Sequence, residues 1–332
     1  MRARALRRQV RGRASAVGPF ALAALMLPGL SGCSSDGPQG SSSTHWLTCE
    51  VDAECADLVL GASCGQSGYC EAASGARLEQ RVVFEESFDA PLDQTTFAAE
   101  VGTLIRNDEA QAYTDRPENI SSGSGELVLT ARAEAWEGAS FTSGSVHTSG
   151  QRAFTFGRIE ARMQTPLATG CASAFWLLPE NPMPDVPSCD KGSCYMGTWP
   201  AWGDITIASR VSSAPESVSM ALNYGVWNDA LGAVEHFPEH HQAPVPDGGW
   251  HVYAIQWTPT RIDWLVDGAL VASADLSPDN LYRPDGRHPF HQPFHLRLNL
   301  ALGGLDQAPN AAEYPQELRV DWVRVLQWVE PE

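Results

Sequence analysis

Basic residues are scarce in this chain, which holds 22 Lys and Arg against 40 Asp and Glu and has a net charge of −18 at pH 7. Six of the arginines lie within residues 1–32, where there is no acidic residue, so the rest of the chain carries 16 basic and 40 acidic residues and a net charge of −24. Phosphate backbones are bound by clusters of Lys and Arg. This composition argues against nucleic acid as a partner and suits a well-solvated protein outside the cell.

Long hydrophobic runs are also lacking. The apolar stretch Pro19–Leu30 is too short for a confident membrane span, and it follows an arginine-rich start, which is typical of a signal peptide. It ends in Leu-Ser-Gly-Cys33, which resembles a bacterial lipobox, and the serines that follow indicate a flexible tether. We predict a lipoprotein signal peptide at 1–32, a tether at 33–45 and a lipid anchor on Cys33. By the same resemblance, the serine after the cysteine predicts a cell-envelope protein of the outer membrane of a Gram-negative bacterium.

The other seven cysteines suggest disulfides, since an exported chain favours them over zinc. Four of them fall in a predicted disulfide-rich module at 46–75, and three pairings are possible for Cys49, Cys55, Cys64 and Cys70. Cys189 and Cys194 are predicted to close a short loop. Cys171 is left over, either as a buried free thiol or as an alternative partner in that loop.

No long stretch after residue 80 has helical periodicity. Alternating apolar and polar residues predict short strands instead, and an Asp-Gly pair inside 261–272 is a strong hairpin signal. The predicted strands lie at 126–132, 157–163, 250–257, 261–272, 295–301 and 318–326. Many short strands separated by Gly and Pro predict an all-β sandwich or jelly roll.

The segment Trp199–Arg210 reads Trp-Pro-Ala-Trp-Gly-Asp-Ile-Thr-Ile-Ala-Ser-Arg. It resembles the active-site strand of family 16 glycoside hydrolases of the laminarinase type, which reads Trp-Pro-x-x-Gly-Glu-Ile-Asp-Ile-x-Glu. Further matching segments follow in the family's order: 106–113, 117–119, 142–144, 156–158, 174–176, 299–304 and 320–325. The resemblance implies that residues 80–328 form a concanavalin A-like jelly-roll β-sandwich whose concave sheet makes an open sugar cleft.

The family's nucleophile, its supporting Asp and its acid/base correspond here to Asp204, Thr206 and Ser209. A retaining glycosidase needs two carboxyls about 5–5.5 Å apart, one to attack the sugar and one to protonate the leaving oxygen. Asp204 is one methylene shorter than Glu, and a serine hydroxyl is too weak an acid to deliver the proton. Ser209 shares a strand face with Asp204 only if a bulge resets the alternation; without a bulge the acid/base position would be Ala208. No intact catalytic set is therefore predicted.

The positions expected to bind sugar are better preserved than those expected to do the chemistry. Indole rings stack on pyranose rings, and tryptophans remain at several of these positions. The substrate-binding positions implied by the resemblance are Trp199, Trp176, Trp202, Asn107, Arg158 and Asn223, the last replacing a histidine of the family. Trp257, Trp264 and Trp322 lie in alternating strands and are predicted to be core residues. The family's calcium site would retain Asp321, but Ser87 replaces its other acid, so we expect a weakened site or none, and no other cofactor.

Three functions follow. The first is a surface lipoprotein that binds β-glucan or a related polysaccharide without cleaving it, as other members of the wider family without the Glu pair do. The second is an active endo-β-1,3-glucanase with relocated carboxyls, for which the candidates are Asp185, Asp190, Asp229 and Glu235. The third is a structural surface lipoprotein that neither binds nor cuts, since a fold alone does not determine a function.

Overall fold

The computed structural model describes residues 49–103, 108–180, 203–228, 233–245, 247–277, 288–304 and 306–331. Among them, the one α-helix is α1 (Asp52–Ala56), and no described helix is long and apolar enough to cross a membrane. The described strands are β1 (Ser63–Cys64), β2 (Cys70–Glu71), β3 (Glu79–Glu86), β4 (Ala98–Ala99), β5 (Gln111–Tyr113), β6 (Ile120–Ser121), β7 (Leu127–Ala131), β8 (Phe141–Ser143), β9 (Ser145–His147), β10 (Gly157–Gln164), β11 (Cys171–Pro179), β12 (Asp204–Val211), β13 (Ser217–Asn228), β14 (Ala233–Pro244), β15 (Trp250–Trp257), β16 (Arg261–Val266), β17 (Ala269–Asp275), β18 (Phe294–Leu302) and β19 (Gln316–Val329).

Two antiparallel sheets form the body of the protein. A seven-stranded sheet has the order β14-β13-β12-β11-β18-β9-β4, and an eight-stranded sheet has the order β17-β16-β15-β10-β19-β7-β6, with β3 also paired to β19. The predicted strands all occur, with ends shifted by a few residues, and the predicted all-β jelly-roll sandwich is confirmed.

The core lies between the two sheets, because alternate side chains of each strand point to the same face. Ile159 and Met163 of β10 point into this core from the eight-stranded sheet, and Ile205 of β12 belongs to the same core from the seven-stranded sheet. Each such buried side chain contributes about 1.5–3 kcal/mol of hydrophobic stabilisation. We call the face of the seven-stranded sheet that points away from this core the site face.

Two of the three tryptophans predicted to be core residues are core residues. Trp257 and Trp264 are fully buried. The prediction is wrong for Trp322, which is half-buried on the solvent side of the eight-stranded sheet with the Arg324 guanidinium 4.6 Å from its ring centre. A bulge in β19 pairs Trp322 with Arg162, and that partner also points to solvent.

The cysteine-rich module packs onto the end of β19. Its disulfides join Cys49 to Cys64 and Cys55 to Cys70, one of the three pairings left open by the sequence. Its small core includes Leu78 and contacts Trp328.

Cys171 is a buried free thiol, and burial raises its pKa to about 11. Cys33, Cys189 and Cys194 lie outside the described residues.

Candidate functional site

The site is centred on β12, whose path contains the bulge that the motif spacing requires. Thr206 and Ser209 are three residues apart on β12 but pair with residues only two apart on β13. The extra residue turns both Ile207 and Ala208 into the core, where each is at most 4% exposed. Asp204, Thr206 and Ser209 therefore share the site face. Three catalytic carboxyls at these positions would have to share a face in the same way.

Asp204 is buried and begins a line of polar side chains that crosses three strands. Asn223 lies opposite it on β13, and the Asn223 Nδ2 donates a hydrogen bond to the Asp204 Oδ1 at 2.9 Å. The Asn223 Oδ1 lies 3.1 Å from the Nε2 of His236 on β14. Partial burial and the neighbouring His240 lower the pKa of His236 below its ordinary value, which favours the neutral ring at pH 7.

The bulge is held from the other side of the sandwich. A bulge disrupts the hydrogen-bond ladder locally, and here the Thr206 carbonyl accepts a hydrogen bond from the buried Trp264 Nε1 at 2.9 Å. Trp264 belongs to β16 of the eight-stranded sheet. The bulge of β12 is therefore stabilised by a hydrogen bond from a core tryptophan.

Trp176 lies beside β12 on the site face. On β11 it pairs with Thr206 on one side and with Arg297 of β18 on the other. Its ring is half-buried, its Nε1 donates to the Asn299 Oδ1 at 2.8 Å, and the Asn299 Nδ2 donates to the Tyr113 hydroxyl at 3.2 Å. Three of the segments that carry the family resemblance thus meet at one point and fix the indole.

A buried ion pair supports the same indole. Arg297 donates to the Glu100 carboxylate at 2.6 Å, both groups are buried, and the Ser145 hydroxyl donates to the same oxygen at 2.8 Å. The guanidinium carbon lies 5.2 Å from the centre of the Trp176 ring, within reach of a cation–π interaction. Nearby, burial and then the charges of Arg297 and His147 lower the pKa of His295 to about 3, so this ring is neutral.

Carboxylates are almost absent from the seven-stranded sheet. Its strands contain three acidic residues: Asp204, Glu235 and Glu239. Glu239 pairs with the core-facing Leu222 and lies on the opposite face from Asp204. The side chain of Glu235 is outside the described part of the structure, as are the candidates Asp185, Asp190 and Asp229. Strands β11, β12 and β13 therefore offer Asp204 no second carboxylate.

The remaining predicted site residues divide into one correction and three that cannot be placed. The prediction that Arg158 lines the cleft is wrong, because β10 belongs to the eight-stranded sheet and Arg158 donates at 2.7 Å to Glu160 on its solvent face. Alternation along β10 predicts that Arg158 points away from the core, but it does not predict which of the two sheets contains β10. The sequence alone therefore could not exclude Arg158 from the cleft. Trp199, Trp202 and Asn107 lie outside the described residues.

At the position expected for a calcium site, the nearby carboxylates are contacted by an arginine and by a serine hydroxyl. Asp321 is paired with the Arg162 guanidinium at 2.6 Å, and the Ser87 hydroxyl donates to the Asp89 carboxylate at 2.7 Å. Within the described residues, the one close group of three metal-ligating residue types is Cys49, Cys55 and Cys70, which are disulfide-bonded.

Comparison with known proteins identifies the family. The model of glycosyl hydrolases family 16 matches residues 107–190 and 217–324, more than half of the chain. The chain belongs to this family. The matched ranges leave out 191–216, which contain the whole of β12.

Individual similar proteins support the same family assignment. The chain is 37% identical over 231 residues to a β-glucanase of Rhodothermus marinus, covering 68% of this chain and 76% of the relative. The solved laminarinase of the same organism aligns with a TM-score of 0.63 at 35% identity, covering 76% of this chain and 99% of that one.

A third similar protein has been solved with a sugar bound. It is a mutant of a non-specific family 16 endo-β-1,3(4)-glucanase in which one glutamate is replaced by serine. It aligns with a TM-score of 0.61 at 27% identity, covering 75% of this chain and 95% of that one. A β-linked glucose oligosaccharide occupies the active site of that mutant.

Proposed function

We propose that this protein binds β-glucan or a related polysaccharide on the site face and does not hydrolyse it. The observation that carries the proposal is the β12 bulge. It gives Asp204, Thr206 and Ser209 the alignment of a catalytic set, while the strands around them supply a single carboxylate. Both steps of retaining hydrolysis need a second carboxyl.

Retained sugar-binding features support the binding half of the proposal. The Trp176 indole is anchored through its Nε1 and backed by Arg297, which leaves a ring of fixed orientation beside Thr206. The serine-substituted glucanase that holds a glucan oligosaccharide indicates that losing a glutamate need not abolish binding in this fold. We expect weak affinity, roughly micromolar to millimolar, as is usual for wet and shallow sites.

Binding is tested by titrating the full chain with laminarin and by pull-down on insoluble β-1,3-glucan. Trp176→Ala should weaken binding at least about fivefold, the loss of roughly 1 kcal/mol expected for a contact residue. Trp322→Ala is a matched control, because Trp322 is also a half-buried tryptophan beneath an arginine but lies on the other sheet. A well-folded wild type that binds no β-glucan would favour a structural role, and equal losses in both variants would remove Trp176 from the site.

We also propose that the protein is held at the cell envelope by a lipid on Cys33. The arginine-rich start, the short apolar run and the lipobox-like ending support it. Stable attachment of such a chain depends on its acyl groups, so Cys33→Ala should move the protein from the membrane fraction to the soluble fraction. A Cys33→Ala protein that stays in the membrane fraction would contradict the anchor.

A further inference from the structure

Trp136 lies at the tip of a tight turn in the connection between β7 and β8. The Trp136 N–H donates to the Ala139 carbonyl at 3.0 Å, and the Ala139 N–H donates to the Trp136 carbonyl at 2.8 Å. The two residues between them, Glu137 and Gly138, have φ angles of 45° and 90°, and two consecutive positive values are typical of the type I′ hairpin turn. Trp136 is 36% exposed, more than any other tryptophan that the structure describes, so the turn presents an indole to solvent.

One face of this indole is covered by an arginine that is itself held in place. The Arg116 guanidinium carbon lies 4.1 Å from the centre of the Trp136 ring, within reach of a cation–π interaction. Arg116 donates to the Asn119 Oδ1 at 2.9 Å and forms an ion pair with Glu134, whose carboxylate accepts a hydrogen bond from the Thr142 hydroxyl at 2.6 Å. The ring therefore has a fixed orientation, and its exposed area lies on the opposite face and along the ring edge.

The same pair of strands supports this indole and the one on the site face. Thr142, which holds the ion pair beneath Trp136, belongs to β8, and β8 pairs with β5. Tyr113 of β5 accepts the hydrogen bond of Asn299, the residue that holds the Nε1 of Trp176. The separation between the two indoles is therefore set by the backbone of one small sheet.

The surroundings of Trp136 suit a sugar ring better than a protein surface. A protein interface is expected to have an apolar core made of several side chains. A single pyranose ring needs one open indole face, with room for its hydroxyls in water around it. The exposed neighbours of Trp136 along the chain are small or polar: Ala133, Ala135, Glu137, Gly138 and Ser140.

We propose that Trp136 is a second sugar-stacking residue, which holds a β-glucan chain at a point outside the site face. The proposal rests on the proposed function and extends it to long chains. A polysaccharide that reaches both indoles is held at two points, and the second contact forms at the high effective concentration set by the first. A short oligosaccharide on the site face contacts Trp176 and does not reach Trp136.

The test is calorimetric titration of the full chain at pH 7.5 with laminarin and with laminaritriose. Trp136→Ala should weaken laminarin binding about fivefold, the loss expected for one contact residue, and leave laminaritriose binding within about twofold of the wild type. Trp136→Phe keeps an aromatic ring and should recover most of the loss. Trp322→Ala is the matched control, because Trp322 also lies beneath an arginine but belongs to the eight-stranded sheet, and it should change neither affinity.

The two ligands distinguish the possible failures. If the wild type binds laminarin and Trp136→Ala binds it equally well, the inference about Trp136 is wrong while the proposed function stands. An equal loss of affinity for laminarin and laminaritriose would overturn the second contact point, because Trp136 would then act within the same site as Trp176. If the wild type binds neither ligand, the proposed function fails and this inference fails with it.

Discussion

Three side chains on β12 account for the predicted lack of hydrolysis. The bulge already gives them the required alignment, so the triple change Asp204→Glu, Thr206→Asp and Ser209→Glu should yield at least trace release of reducing ends from laminarin. The double change that keeps Ser209 lacks a proton donor and should remain at background. A folded triple variant with no activity would mean that the cleft has diverged beyond these three positions, and Asn223→His would be the next substitution.

Trp264 is predicted to stabilise the bulge through one hydrogen bond. Trp264→Phe keeps most of the ring but leaves the Thr206 carbonyl without its indole donor. It should lower the free energy of unfolding by about 1–3 kcal/mol beyond the effect of the smaller ring. Trp257→Phe is the control, since the Nε1 of the fully buried Trp257 has no hydrogen-bond partner among the residues that the structure describes. Equal losses in denaturant titrations of the two variants would contradict the role of this bond.

The sequence predicted some of these residues well and others not at all. The five-residue spacing between Asp204 and Ser209 implied a bulge, because parity along a strand is fixed by the backbone. No local signal linked His236 to Asn223, since that contact depends on the register of the long β13–β14 hairpin. Arg158 and Trp322 were misplaced because periodicity predicts a face and carries no information about which sheet the strand joins or where a bulge shifts it.

At the level of strands, a histidine ties the start of β15 to the β16–β17 turn. The His251 ring contacts the carboxylates of Asp267 and Asp247, each at 2.8 Å. Burial works to lower the pKa of His251, but the hydrogen bonds and charges of these two carboxylates outweigh it and raise the pKa above its ordinary value. The same contacts help to hold the pKa of both carboxyls below the usual range.

The sign of the pH effect follows from these directions. A raised pKa means that the protonated histidine stabilises the fold below about pH 6.5, its unfolded value, and that this contribution is lost as the pH rises through the folded pKa. His251→Gln should therefore cost about 1 kcal/mol at pH 5.5 and less at pH 8.5, in urea titrations at both pH values. A cost for His251→Gln that grows with pH would contradict the assignment.

For the whole molecule, the distribution of charge separates the site from the rest. The chain has 40 acidic residues, yet the strands of the seven-stranded sheet contain three. Retaining hydrolysis needs two carboxyls, and here the jelly roll and the bulge persist while strands β11, β12 and β13 carry one, that of Asp204. The fold was predictable from strand patterns and ordered motifs, whereas the support of Trp176 by Arg297 and Glu100 required the pairing of β11 with β18.

The cysteine-rich module should contribute to the stability of the whole protein. It packs against Trp328, and the Ser74 hydroxyl donates to the Glu330 carboxylate at 2.9 Å. Removing residues 49–75 exposes apolar surface around Leu78, so the melting temperature should fall by several degrees. Ser74→Ala, which alters only an exposed contact, should change it little. An unchanged melting temperature after the deletion would mean that the module adds nothing to the stability of the jelly roll.

The most direct test of the account is prolonged incubation of the purified full chain with laminarin, followed by measurement of reducing ends. The account predicts no release above the level of Asp204→Ala, because hydrolysis needs two carboxyls and the strands around the bulge supply one. Loss of part of a catalytic unit costs several orders of magnitude in rate, so the expected signal is at background. Robust release by the wild type that disappears in Asp204→Ala would contradict it.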